Sequence, residues 1–143
     1  MNTSGTSDKR LVLATLMPAL ALTLAFVPIF LTLPNEGDGW SFWLIVGAAP
    51  LAAFIVNLRL PAATTQGRAI LTGVPQILLL PLLFYVDILI DDSRGYYIGG
   101  DLDYDRGFAV SIGTLVGFML GFILMVLVAV GALLGTWLGG RRR

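Results

Sequence analysis

No cysteine and no histidine occur among the 143 residues. Disulfides, thiolate nucleophiles, imidazole bases and the usual zinc and haem ligands are therefore excluded together. Charge is scarce as well: 13% of the residues are Asp, Glu, Lys or Arg, about half the share of an ordinary soluble domain. Lysine and glutamate are almost missing, with Lys9 and Glu36 the single examples beside several Arg and Asp. That bias is of the kind high-GC genomes produce, and it points to a prokaryotic source. No phosphate-binding glycine loop, nucleophile elbow, metal-ligand cluster or basic nucleic-acid patch is present. The expectation is a protein with no cofactor, no nucleic-acid partner and no catalytic activity.

What the chain has instead is apolar length. Hydrophobic residues make up 57%, and they fall into four uncharged or nearly uncharged runs. A soluble fold of this size would need far more polar surface. The reading is an all-α integral membrane protein: one domain, a four-helix up-down bundle embedded in the lipid bilayer.

The fourth run, Phe108 to Leu138, is the longest. Its roughly 31 residues would make a helix of about 46 Å, against about 30 Å of hydrocarbon, so it must tilt or project at one end. It carries glycine at two series of four-residue steps: Gly113, Gly117, Gly121 and then Gly131, Gly135, Gly139. Steps of four lay a smooth groove along one helix face, and small-residue grooves let helix backbones approach closely in lipid. The interval from Gly121 to Gly131 turns the second groove roughly 80° from the first, at about 100° per residue. One groove is expected to pack inside the chain and the other to be open to a partner.

The other spans follow in order. Residues 1–10 are a polar tail, and the run from Leu11 to Leu33 is too long for a signal-peptide core, which has about 7–15 residues. It reads as the first span, 11–33, with Pro18 and Pro28 inside it and Pro34 as its stop. The two prolines deprive the Ala14 and Leu24 carbonyls of their partners, and Thr15 and Thr23 are the expected local compensators. A short acidic turn, 34–39, leads through the interfacial Trp40 and Trp43 into the second span, 41–60, whose middle is rich in Gly and Ala. The third span, 69–90, is expected to kink at Pro75 and Pro81. Residues 91–107 form a loop in which Tyr96-Tyr97-Ile98 and Leu102-Asp103-Tyr104 flank Gly99-Gly100, the pattern of a small β-hairpin. The fourth span, 108–138, ends at Trp137 and a terminal run of arginines. A faint internal echo relates the halves: each is a two-proline helix, an acidic glycine turn and an aromatic-led, small-residue helix, as if joined by an axis along the membrane normal.

Charge sets the orientation. Lys9, Arg10, Arg59, Arg68, Arg141, Arg142 and Arg143 fall on one side of the four spans, and Arg94 and Arg106 on the other. The positive-inside rule puts both termini in the cytoplasm and the 91–107 loop outside. The acids are distributed the opposite way: Glu36, Asp38, Asp91, Asp92, Asp101, Asp103 and Asp105 are outside.

Few polar groups qualify as sites. Asp87 lies one turn before Asp91, at the outer edge of the third span, so it reads as an interfacial carboxylate before it reads as a cation or proton site. Gln76 is the most deeply placed strong polar group, about 12 Å along the helix from Arg68. It reads first as a bridge between helices, with an amide donor near the Leu71 carbonyl that Pro75 frees, and second as part of a polar path. Asp101, Asp103 and Asp105 alternate as at the start of a calcium loop, but Arg106 and Ile112 stand where an EF-hand needs glycine and glutamate. A looser cation site there is the weaker reading beside a solvated acidic loop.

Two functions remain. The first is a structural or accessory subunit that uses its glycine faces to pack against copies of itself, as a homo-oligomer, or a larger membrane complex. Its setting would be a cell membrane, the prokaryotic plasma membrane first, or an enveloped particle. The alternative is an oligomeric channel or transporter for a small solute or ion, with Gln76 and Asp87 on its polar path.

Overall fold

A computed structural model describes residues 4–32, 40–60, 66–96 and 106–141. Its helices are α1 (Ser4–Leu31), α2 (Trp40–Arg59), α3 (Gln66–Gly73), α4 (Pro75–Ser93) and α5 (Arg106–Arg141). No strand occurs among the described residues. Among the described residues, four helical stretches are long and apolar enough to cross a membrane: Lys9–Leu31, Trp40–Arg59, Arg68–Ser93 and Arg106–Arg141. Helix is the form such segments must take, because lipid offers no partner to an unpaired backbone amide or carbonyl.

Several boundaries differ from those read in the sequence. The first helix starts at Ser4 and ends at Leu31, since a polar tail without Pro or β-branched runs can continue a helix past the bilayer edge. The third span is two helices: Val74 interrupts it, and Ile77 N–H bonds the Val74 carbonyl at 3.1 Å as α4 restarts. Pro75 lacks an amide donor, so the regular ladder cannot cross this point. Helix α4 then runs through Ser93, placing Asp91 and Asp92 in its last turn and not in the loop. The β-hairpin around Gly99–Gly100 falls on residues 97–105, outside those described; Tyr96, its first residue, sits in a turn.

That turn has a clear cause. Gly95 takes φ +82°, a left-handed conformation that costs other L-residues about 1 kcal/mol or more. From there Gly95 N–H reaches the Asp92 carbonyl (2.9 Å) and Tyr96 N–H the Asp91 carbonyl (3.1 Å). These two bonds are a Schellman cap, which satisfies carbonyls that the helix end leaves open.

Contact registers give the relative directions of the helices. Rising numbers on α5 meet rising numbers on α2: Gly131 faces Pro50, and Gly135 faces Phe54, Asn57 and Leu58. These two helices run parallel. Against α4 the numbers run oppositely, Gly113 to Ile88, Gly117 to Pro81, and Gly121 to Gln76 and Ile77. The end of α1 meets the end of α4, where the Phe26 and Phe84 rings stand edge to face with centroids 5.4 Å apart. The start of α1 lies beside the end of α2, where Leu13 and Met17 share a groove with Ile55 and Leu60.

Helix α5 packs chiefly on α2 and α4, with α3 adding to the same side, while α1 closes the bundle against α2, α3 and α4. The diagonal pairs are thus α1 with α5 and α2 with α4. A twofold axis down the bundle would instead put like helices of the two halves on opposite corners. Here α1 lies beside α4 and α2 beside α5, so the internal echo of the sequence does not correspond to such an axis. The core is a column of Leu22, Phe26, Ala49, Ala53, Leu80, Leu124, Val128 and Ala132. The outward faces are as apolar as the core, with Leu16, Leu20, Leu24, Leu78, Leu82, Met119, Phe122 and Val126 exposed. Exposed apolar surface on this scale suits lipid and not water.

Candidate functional site

Three features stand out: the two glycine series, a set of buried polar side chains, and an ionic cluster where α1, α4 and α5 meet.

Both glycine series face helices of the same chain. A Cβ built on Gly117 would lie 2.7 Å from the Pro81 Cα, and one on Gly121 2.9 Å from the Gln76 carbonyl oxygen. On the second series, a Cβ on Gly131 would lie 2.5 Å from the Pro50 carbonyl oxygen, and one on Gly135 would run into the Phe54 carbonyl. Gly139 is buried on the same helix. The expectation that one groove stays open to a partner is therefore corrected. The angular offset between the grooves points one at α4 and the other at α2, and each receives a backbone there. Gly73 on α3 makes a comparable approach to Met125 of α5, which the sequence reading had not singled out.

Among the described residues, four polar side chains are buried: Asn57, Thr72, Gln76 and Asp91. Asn57 Nδ2 donates to the Ala53 carbonyl at 2.8 Å. Thr72 Oγ1 donates to the Ala69 carbonyl at 2.6 Å. Gln76 differs from these two. It is 0% exposed, yet neither its Nε2 nor its Oε1 has a hydrogen-bond partner among the described residues. The expected bridge to another helix or to Leu71 is not made. The Gln76 backbone carbonyl lies where α4 meets α5 at Gly121. Thr15 and Thr23 are also corrected: their hydroxyls donate to Leu11 (2.9 Å) and Ala19 (3.0 Å) and not to the freed carbonyls of Ala14 and Leu24. A threonine in a helix reaches its own fourth-preceding carbonyl most easily, and neither residue has the right spacing.

The ionic cluster is built on the end of α4. Arg94 extends from its cap to the end of α1, where Nη2 donates to the Phe30 carbonyl (2.5 Å) and Nη1 to the Thr32 carbonyl (3.4 Å). Its Nη1 also stands 3.7 Å from Asp91 Oδ1. This is an ion pair without a hydrogen bond, which leaves that oxygen unbonded. Arg106, in the first turn of α5, pairs with Asp92 at 3.0 Å. A cation on the carbonyl end of α1 and a carboxylate at the amide end of α5 both complement helix dipoles. The two arginines that stand apart in the positive-inside count are thus structural ties joining three helix ends. Asp87, one turn below Asp91, has a buried Oδ1 without a hydrogen-bond partner among the described residues. Asp101, Asp103 and Asp105 lie outside the described residues.

At the opposite end of the bundle lie Lys9, Arg10 and Arg59, all exposed. Arg141 stacks on Trp137 with its guanidinium carbon 3.7 Å from the ring centroid. Arg94 and its carbonyl partners are more than sixty positions apart in the chain, so no local motif could have revealed them. The Schellman glycine was legible in principle, as the first Gly after an apolar helix.

The chain matches no protein-family model, no curated protein and no solved structure.

Proposed function

We propose that this is a non-catalytic, four-span membrane protein acting as a structural or accessory subunit, with both termini on the cytoplasmic side. The observation that carries the reading is the filled interior. Leu22, Phe26, Leu80, Leu124 and Val128 are at most 1% exposed, and α5 meets α2 and α4 at backbone distance. A bundle closed in this way offers side chains outward and little space inward.

Because the glycine faces receive helices of the same chain, contact with copies or with a larger complex falls to other surfaces. These are the outward stripe of α1 (Leu16, Leu20, Leu24, Val27, Leu31) and that of α5 (Leu115, Met119, Phe122, Val126). The orientation is supported by the relative helix directions, which gather Lys9, Arg10, Arg59, Arg68 and Arg141 at one end. Their opposite numbers, Arg94 and Arg106, are held by ion pairs. Affinity purification of the tagged full chain from its native membrane, followed by mass spectrometry, tests the role. A stoichiometric membrane partner, or a defined homo-oligomer, supports it. A monomer that carries solute flux in proteoliposomes overturns it.

One observation favours the second reading, a conduit. The unpartnered amide of Gln76, eight residues into the Arg68–Ser93 span, is the kind of group that lines a polar path. Flux through reconstituted protein that is lost in Gln76→Leu would establish that reading; absence of flux in the unaltered chain removes it.

A further inference from the structure

Between α1 and α2, at the end where α2 terminates, lies a groove of about 370 Å³ lined by Leu13, Met17, Ile55, Val56, Arg59 and Leu60. Five of these residues are apolar and the sixth is a guanidinium. The arrangement follows from helical spacing. Leu13 and Met17 are four apart on α1; Ile55 and Arg59, like Val56 and Leu60, are four apart on α2. Two apolar rows therefore face each other, and the cation sits at the mouth. Lys9 stands one turn before Leu13 on the same row of α1 and is exposed. Arg59 forms no ion pair among the described residues, whereas Arg94 and Arg106, at the other end of the bundle, each have one.

We propose that this groove is a binding site for one anionic phospholipid. Its acyl chain lies along Leu13, Met17, Ile55, Val56 and Leu60, and its phosphate is held by Arg59 with Lys9 beside it. The proposal rests on the membrane placement of the bundle but not on the accessory role. A groove lined by five apolar residues and one exposed guanidinium matches the two chemical ends of such a lipid. Guanidinium is the side chain best shaped for phosphate, which it can grip through two parallel N–H bonds. The simpler account of Arg59, a cation complementing the end of α2, explains its position on the helix. It does not supply an occupant for the apolar cleft that the arginine helps to line.

The test is native mass spectrometry of the full chain, loaded with equal amounts of phosphatidylglycerol and phosphatidylcholine of identical acyl chains. The expected result is one retained lipid per chain, with phosphatidylglycerol favoured by about fivefold for each cation engaged. Arg59→Gln reduces that preference about fivefold, while Arg59→Lys keeps part of it. Ile55→Trp, on the exposed wall of the groove, lowers retention of both lipids. Arg141→Gln, at the same end but outside the groove, leaves the preference intact. Circular dichroism and the unfolding midpoint check that each variant is folded. Equal retention of the two lipids by the unaltered chain overturns the proposal. So does an undiminished preference in Arg59→Gln, full retention in Ile55→Trp, a preference lost equally in Arg141→Gln, or a second copy of the chain occupying the groove. None of these outcomes bears on whether a larger membrane partner is recovered.

Discussion

The carbonyl oxygen of Pro50 occupies the place that a side chain on Gly131 would need, 2.5 Å from the Cβ position. At Gly117 it is the Pro81 Cα that fills this place, 2.7 Å from the Cβ position. Both prolines are thus pressed backbone-first onto α5, whose glycines supply the clearance. In lipid there is little hydrophobic drive between helices, so such close packing is a principal source of their association.

Glycine-to-alanine substitution should therefore divide by position. Gly117→Ala, Gly131→Ala and Gly135→Ala force backbone apart and should each destabilise the bundle by about 1–3 kcal/mol. Gly113→Ala meets only the mobile tip of Ile88 and should have a smaller effect. Gly47→Ala meets nothing within 4 Å and should be neutral or stabilising by up to about 1 kcal/mol through helix propensity. Thermal unfolding in detergent ranks them. Equal effects at Gly47 and Gly131 would refute the assignment of the grooves.

The same geometry can be read covalently, since the chain contains no native cysteine. Asn57→Cys combined with Gly135→Cys should form an intrachain disulfide under mild oxidation, the two Cβ positions being 3.1 Å apart before relaxation. Single cysteines at Gly117 or Gly135 should give no crosslinked dimer. A dimer band from either would mean that the groove opens toward a second chain.

The two outer arginines should not be equivalent. Arg94→Ala removes both hydrogen bonds to the end of α1 and leaves the nearly buried Asp91 without its nearest cation, for a loss of about 1–2 kcal/mol. Arg106→Ala removes one half-exposed pair and should lose at most about 1 kcal/mol, an effect that fades in high salt. Chemical unfolding at two salt concentrations separates them. A larger loss in Arg106→Ala would show that the tie to α5, and not the one to α1, holds this end.

Gln76 gives a prediction of opposite sign. A buried amide with neither atom bonded carries a desolvation penalty of about 1–3 kcal/mol. Gln76→Leu should therefore raise the unfolding midpoint. A fall in the midpoint would reveal a bonded partner in the folded membrane state, such as an internal water.

How far residues alone carried this description depends on the length scale. The four spans were legible because a bilayer demands long uncharged runs and leaves little room for ambiguity. The glycine steps were visible too. Pairing was not legible: the helices are apolar on every side, so their sequences do not say which face turns inward. That is why both glycine grooves, one of them expected to be open to a partner, turned out to hold backbone of the same chain. The reach of Arg94 to Phe30 and Thr32 was hidden for another reason, since side-chain contact to a distant carbonyl leaves no trace in local spacing.

The parallel pairing of α2 with α5 has a consequence for biogenesis. Parallel neighbours cannot form as a hairpin, and α5 is the last of the described helices to leave the ribosome. Until it arrives, α2 and α4 wait in the lipid with their contact faces open, lacking the rod they will both lean on. Insertion can proceed helix by helix, but closure comes in a single late event, and a nascent chain halted before Arg106 would be threaded through the membrane without being folded.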